Sequence, residues 1–254
     1  MAWSQQIINP RPVLEICGNK GRLAEWLSAN GFVTPRTVAA SHWRLLASES
    51  GFPMVGKPAE NTGGSKGVQI LNSASEVEQY LALMDAPDKV LFQQYVSSSA
   101  HEYTVGVAVD NQGGIIDSIV LRRVLTGLSL GQTRQIDGRS YALSTGYSQG
   151  VIVRDARVQQ VCEEVAVKIG ARGPLNIQCR CEGGEVYIFE VHPRFSGTTS
   201  IRAAAGFNEP DMLIRDHLFG ESIPRQNYRT DVAAIRAFSN LLVPLADLAA
   251  APRI

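Results

Sequence analysis

The stretch PLNIQCRCEGGEVYIFEVHPRFSGTTS, residues 174–200, decides how this chain is read. Leu175, Ile177, Cys179 and Cys181 alternate with Asn176, Gln178 and Arg180. After Gly183-Gly184, Tyr187, Phe189 and Val191 alternate with Ile188, Glu190 and His192. Strand side chains point to opposite faces with period two, so the two runs predict a hairpin. A three-residue turn at 183–185 sets residue 178 opposite 190, 176 opposite 192 and 179 opposite 189. One face is then apolar, and the other gathers Asn176, Gln178, Glu190 and His192. A two-residue turn, the usual preference of Gly-Gly, would set 178 opposite 189 instead. The clean sorting of polar from apolar favours the longer turn, because a one-residue slip buries polar side chains. A carboxylate with amides and an imidazole suits a hard or borderline divalent ion, Mg²⁺ or Mn²⁺, which normally also takes substrate phosphates. Cys179 and Cys181 fall on the face opposite His192, with no second Cys or His pair at zinc-site spacing. They read as small core residues.

Working outward, phosphates call for a cradle. Asn61-Thr-Gly-Gly-Ser-Lys-Gly67 lies between two predicted strands, Phe52–Pro58 and Val68–Leu71. Glycines let backbone N–H groups approach an anion, and Lys66 or Lys57 adds charge. The loop is neither a Walker A sequence nor a dinucleotide fingerprint, and alone it reads equally as a surface hairpin. Lys57 is harder to dismiss. It lies within an apolar strand, where a lysine needs a partner, and an anionic ligand is one.

The remaining periodicities place the other elements. Leu23, Trp26 and Leu27 form a helical stripe between Asn19 and Asn30-Gly31, and residues 41–50 form a second helix ended by Gly51. Ser73-Ala-Ser-Glu76 is a capping box opening a helix to about Met84. Lys89–Val96 reads as a strand, followed by a serine linker. Residues 102–110 and 114–123 read as a hairpin, and 126–150, with five glycines and no clear period, as a long loop. Val158, Val161, Cys162, Val165, Ala166 and Ile169 predict a helix ended by Gly170. A helix near 210–218 and a strand near 231–238 follow. Helices and strands mix without strict alternation, so the expected class is α+β.

The chain has 254 residues, 24 Lys+Arg against 24 Asp+Glu, and is 44% hydrophobic. That is enough chain to bury a core without disulfides. Zero net charge argues against a polyanion-binding face, so no nucleic-acid partner is expected. No apolar run reaches the ~18 residues of a membrane span, and the polar start MAWSQQIINPRP is not a signal peptide. Four cysteines, Cys17, Cys162, Cys179 and Cys181, fit reduced thiols and a cytoplasmic location.

Three segments, FPMVGKPAENTGGSKGV (52–68), LFQQYVSSSAHEYTVGVAVD (91–110) and the stretch at 174–200, together resemble the ATP-grasp superfamily. The pattern is most similar to the ATP-binding halves of the carbamoyl-phosphate synthetase large chain and related carboxylate–amine ligases. The resemblance covers about residues 18 to 240 and implies two α+β subdomains gripping ATP. Residues 1–17 would be an N-terminal extension, 18–97 the small subdomain and 98–254 the larger one with the metal site.

Residue by residue, the resemblance implies that Lys20 and Lys57 reach the nucleotide phosphates, Lys57 also contacting adenine. Gly63, Gly64, Ser65 and Lys66, with Gly67, match the closing loop. Gln93, Gln94, Tyr95 and Val96 match the adenine strand, and Glu102 the acid that binds the ribose hydroxyls. Gln178 and Glu190 match metal ligands, and Arg194 matches the arginine that stabilises the phosphoryl group in transfer. The family pattern Glu-x-Asn-Pro-Arg stands here as Glu190-Val-His192-Pro-Arg194, so His192 is the third expected ligand, with a shift toward later divalent metals open. The implied cofactors are ATP and two Mg²⁺ or Mn²⁺ ions.

The implied reaction is ADP-forming: a carboxylate becomes an acyl phosphate, which an amine converts to an amide. Arg122, Arg123, Arg134 and Arg202 are candidates to hold the substrate carboxylate, and Ser196–Thr199 to shape the acceptor pocket. Family enzymes usually begin with a separate α/β domain, whereas only about 17 residues precede the first matching helix here. A partner chain supplying that domain, and a homo-oligomer, are therefore open. So are an ATP-binding subunit with little chemistry of its own and carbamate phosphorylation.

Overall fold

The computed structural model describes residues 9–60, 66–97 and 99–237. Gly63, Gly64 and Ser65 lie outside the described residues. The described chain is α+β, built on two antiparallel sheets. The first part runs α1 (Arg11–Cys17), α2 (Lys20–Ala29), β1 (Thr37–Ala39), α3 (Trp43–Ser50), β2 (Met54–Pro58), β3 (Gln69–Leu71), α4 (Ala74–Ala82) and β4 (Val90–Gln94). The second runs β5 (His101–Val109), β6 (Ile115–Arg123), β7 (Leu130–Ile136), β8 (Arg139–Ser144), β9 (Gly150–Val153), α5 (Ala156–Lys168), β10 (Pro174–Glu182), β11 (Glu185–His192), α6 (Thr199–Ala204), α7 (Glu209–Phe219) and β12 (Val232–Ala234). The smaller sheet has the order β1-β4-β2-β3 and the larger β11-β10-β5-β6-β9-β12.

Local chemistry sets the helix starts. The Asn19 side chain accepts from the Gly21 and Arg22 N–H groups at 2.9 and 3.1 Å, satisfying donors the first turn leaves free. Ser73 and Asp155 do the same for α4 and α5. One face of the larger sheet packs Val105, Val107 and Ile177 against α5, and also against Val13, Cys17, Leu23 and Leu27. Val13 and Cys17 of α1 and Leu23 and Leu27 of α2 thus belong to the core of the larger sheet. Their apolar stripes complete a core that α5 alone does not cover. The opposite face packs Ile119, Leu121 and Ile152 against Phe207, Met212 and Leu213.

The hairpin at 174–192 combines both registers weighed above. Its turn is the two-residue one: Gly183 and Gly184 have φ of 58° and 83°, so Glu182 faces Glu185 and Cys179 faces Ile188, not residue 189. A bulge then resets the ladder, and Gln178 faces Glu190 while Asn176 faces His192, as expected. The extra residue is Phe189. In consequence Val186 and Ile188, not Tyr187 and Phe189, enter the core.

Other elements were not foreseen. The expected loop 126–150 contains the β7–β8 hairpin, and its strands pair with each other but not with either large sheet. Helices α1 and α6 were not among the expected elements. Among the described residues no helix is long and apolar enough to cross a membrane.

Candidate functional site

A cavity of about 570 Å³ lies between the sheets, lined from both by residues including Lys57, Gln93, Glu102, Gln178 and Glu190. The bulge at Phe189 turns the polar stripe of the hairpin into it. Glu190 Oε1 lies 3.2 Å from His192 Nε2, and Gln178 Nε2 donates to Glu190 Oε2 at 2.6 Å. Asn176, the fourth member of the stripe, is committed elsewhere. Its Oδ1 accepts from Thr104 Oγ1 at 2.9 Å and from Arg202 Nη2 at 2.7 Å.

Two lysines face this carboxylate. Lys57 is 5% exposed and donates to Gln93 Oε1 at 2.8 Å, and Gln93 Nε2 donates to Thr37 Oγ1 at 2.7 Å. Burial pushes the Lys57 ammonium down to about 8, Glu190 pulls it up and Lys20 adds to the lowering. Lys20 donates to the Glu60 carbonyl at 2.9 Å and is also lowered, by burial, against the pull of Glu190. Burial raises the Glu190 carboxyl. The His192 hydrogen bond, with the charges of His192, Lys20 and Lys57, outweighs this and holds it below the ordinary carboxylate range. Among the described residues Lys57 makes no ion pair, so its charge is balanced only from a distance.

The other end of the cavity is closed by ion pairs. Glu102 accepts from Arg123 Nη1 at 2.9 Å through Oε1, and from Arg180 Nε and Nη2 at 3.0 Å through Oε2. Arg180 also donates to the Val96 and Ala142 carbonyls and lies 4.7 Å over the Tyr95 ring. The Tyr95 hydroxyl donates to the Ala142 carbonyl at 2.8 Å. Gln94 Oε1 accepts from the Arg36 N–H at 3.4 Å.

Three arginines considered for a substrate carboxylate are consumed by the protein's own acids: Arg123 by Glu102, Arg134 by Glu76 and Arg202 by Glu209. Arg122 is not among the residues lining the cavity. Arg194, Ser196 and Thr198 do line it, and Arg194 is exposed, donating to the Phe195 carbonyl at 2.8 Å. Lys66 is exposed beside the undescribed part of its loop. Sequence reading passed over two residues. Arg180 stood in the polar stripe and was legible there. Arg236 donates to the Ser148 and Gly197 carbonyls at the cavity rim, with no local signal to mark it.

The donor set suits a cation held partly by phosphate. Glu190 supplies one carboxylate, Gln178 and His192 flank it, and no group of three acidic, Cys or His side chains that could hold a metal occurs among the described residues. One or two carboxylates plus substrate phosphates is the usual coordination of Mg²⁺.

A family model, "ATP-grasp in the biosynthetic pathway with Ter operon", matches residues 99–238, more than half of the chain. This chain belongs to the ATP-grasp family. Its sequence is 25% identical over 189 residues to the carbamoyl phosphate synthase large chain of Pasteurella multocida, covering 74% of this chain and 17% of that protein. Biotin carboxylase from Campylobacter jejuni, in a β-γ-ATP complex, superposes with a TM-score of 0.62 at 14% identity, over 87% of this chain and 50% of that one. D-alanine–D-alanine ligase from Bacillus anthracis, complexed with ATP, gives 0.56 at 17% identity, over 84% and 70%. The α+β ATP-grasp fold is thus shared across these enzymes. The present ATP-grasp chain spans only about a sixth of the curated relatives it matches.

Proposed function

We propose that this chain is an ATP-dependent, ADP-forming ligase that joins a carboxylate to an amine. The observation that supports this reading most is the phosphate end of the cavity. There a buried lysine that makes no ion pair among the described residues and a second lysine face one carboxylate flanked by Gln178 and His192. Burying a charge without a partner is costly, and a bound polyphosphate removes that cost.

In the proposed reaction a substrate carboxylate oxygen bonds to the γ-phosphorus of ATP, the bond to the bridging oxygen breaks, and ADP leaves. The amine nitrogen then bonds to the acyl carbon, phosphate departs, and the nitrogen loses a proton. Such transfer asks mainly for positioning and charge neutralisation. Lys20 and Lys57 bind the phosphates, and Arg194, exposed at the rim, supports the transferring group. Glu190, with Gln178 and His192, would hold Mg²⁺ or Mn²⁺, two ions in the proposed reading, whose part is to neutralise phosphate charge. The acceptor side is the rim around Ser196 and Thr198, where Arg236 reaches in.

Calorimetry with MgATP, repeated with Mn²⁺, tests the site, with affinity expected in the range of about 1 μM to 1 mM usual for enzyme substrates. ADP release in mixtures of carboxylates and amines tests the chemistry. Tight binding with background release in every mixture would instead favour a nucleotide-binding subunit completed by another chain.

A further inference from the structure

The resemblance gives Glu102 to the ribose hydroxyls, but the surroundings of this carboxylate are those of a structural ion. Its side chain is 3% exposed although it backs onto the cavity. Three charge-assisted hydrogen bonds from Arg123 and Arg180 already reach it at 2.9 to 3.0 Å. Oε2 already accepts twice and Oε1 once, so a ribose hydroxyl would have to use the single remaining lone pair of Oε1, on a side chain only 3% exposed, or displace an arginine and leave a buried guanidinium without its counter-ion.

The arginines are themselves spent on the protein. Arg123 Nη2 donates to Ser129 Oγ and to the Thr145 and Tyr147 carbonyls, which close both ends of the β7–β8 excursion. Arg180 holds Val96 at the crossing between the sheets and Ala142 on β8. Glu102 is therefore the anion on which two staples rest, and residues 143–148 of the cavity wall hang from them. The other acid lining the cavity is Glu190, which stands with Lys20 and Lys57 at the phosphate end.

Resting on the reading of this cavity as a nucleotide site, we propose that Glu102 is a positioning residue and that the site selects its nucleotide through the phosphates, leaving the ribose hydroxyls unread. The magnitude separates the alternatives. A hydroxyl bonded to a charged acceptor contributes enough that its loss weakens binding about tenfold or more.

The test is calorimetry of the unmodified chain with the Mg²⁺ complexes of ATP, 2′-deoxyATP and 3′-deoxyATP. The expected result is three affinities within about threefold of each other. A loss of about tenfold or more with either deoxynucleotide would overturn the proposal. Absence of binding by all three would overturn the nucleotide reading beneath it, and this inference with it. A second measurement uses Glu102→Gln, followed by thermal unfolding. The positioning role predicts a lowered unfolding temperature with the ATP to deoxyATP ratio unchanged. A ratio that falls from well above one toward one in this variant would return Glu102 to the sugar.

Discussion

At one end of the cavity Lys57, 5% exposed, meets the neutral amide of Gln93 and, among the described residues, makes no ion pair. At the other end Glu102, 3% exposed, meets two arginines at hydrogen-bond distance. Both charges are buried, and they differ in who completes them. The lowering of Lys57 to about 8 corresponds to about 3 kcal/mol against its charged form, a cost that a phosphate would remove. The Glu102 carboxylate, by contrast, is met on both oxygens, although burial also lowers Arg123 and leaves its Nε without a hydrogen bond among the described residues. An incompletely paired charge marks the place where a ligand is needed, and a fully paired one marks the frame that holds that place still.

The sharpest way to break this contrast is at another closed pair. Arg202 and Glu209 are each 1% exposed on their side chains and lie against Gly106, where a Cβ would come within 2.2 Å of Glu209 Oε1. Glu209→Ala should cost about 3–5 kcal/mol in denaturant unfolding, the penalty for orphaning a buried arginine. A loss under about 1 kcal/mol would show that the closed networks do not frame the site.

Lys57→Met probes the open end and should act in the opposite sense. Its unfolding temperature should hold or rise, because an underpaired buried charge is gone, while MgATP affinity falls about tenfold or more in calorimetry. A fall in stability of the size expected for Glu209→Ala would erase the distinction.

The lysine also gives a pH signature. In the empty site Lys57 loses its proton through about pH 8, and bound phosphate favours the protonated form. Nucleotide affinity should therefore fall about tenfold between pH 7 and 9, and this slope should vanish in Lys57→Met. The smallest effect belongs to the half-exposed latch between Arg134 and Glu76, which ties β7 to α4. Arg134→Ala should cost about 1 kcal/mol or less in unfolding, within the range of solvent-accessible pairs.

Much of this architecture is legible in local patterns. The stripe Leu23, Trp26, Leu27, the cap at Ser73 and the helix from Val158 to Ile169 follow from spacing, and each forms within about two residues of its expected bounds. The β7–β8 hairpin was not legible. Most of it is only half-buried, so its sequence, LGQTRQIDGRSYALS, carries little apolar alternation for period two to reveal. The bulge at Phe189 was hidden for another reason: either turn length is locally acceptable, and only packing Ile188 and Val186 into the core selects a short turn followed by a reset.

The sequence by itself determined the element types, the face that gathers Gln178, Glu190 and His192, and the family, because side-chain periodicity is a property of neighbours along the chain. Tertiary structure alone decided which charges remain open. Glu102 is closed by Arg123, 21 residues away, and by Arg180, 78 residues away, whereas among the described residues Lys57 finds Gln93 and no ion-pair partner. Pairing depends on distances of a few ångströms between distant parts of the chain, and no local pattern encodes them.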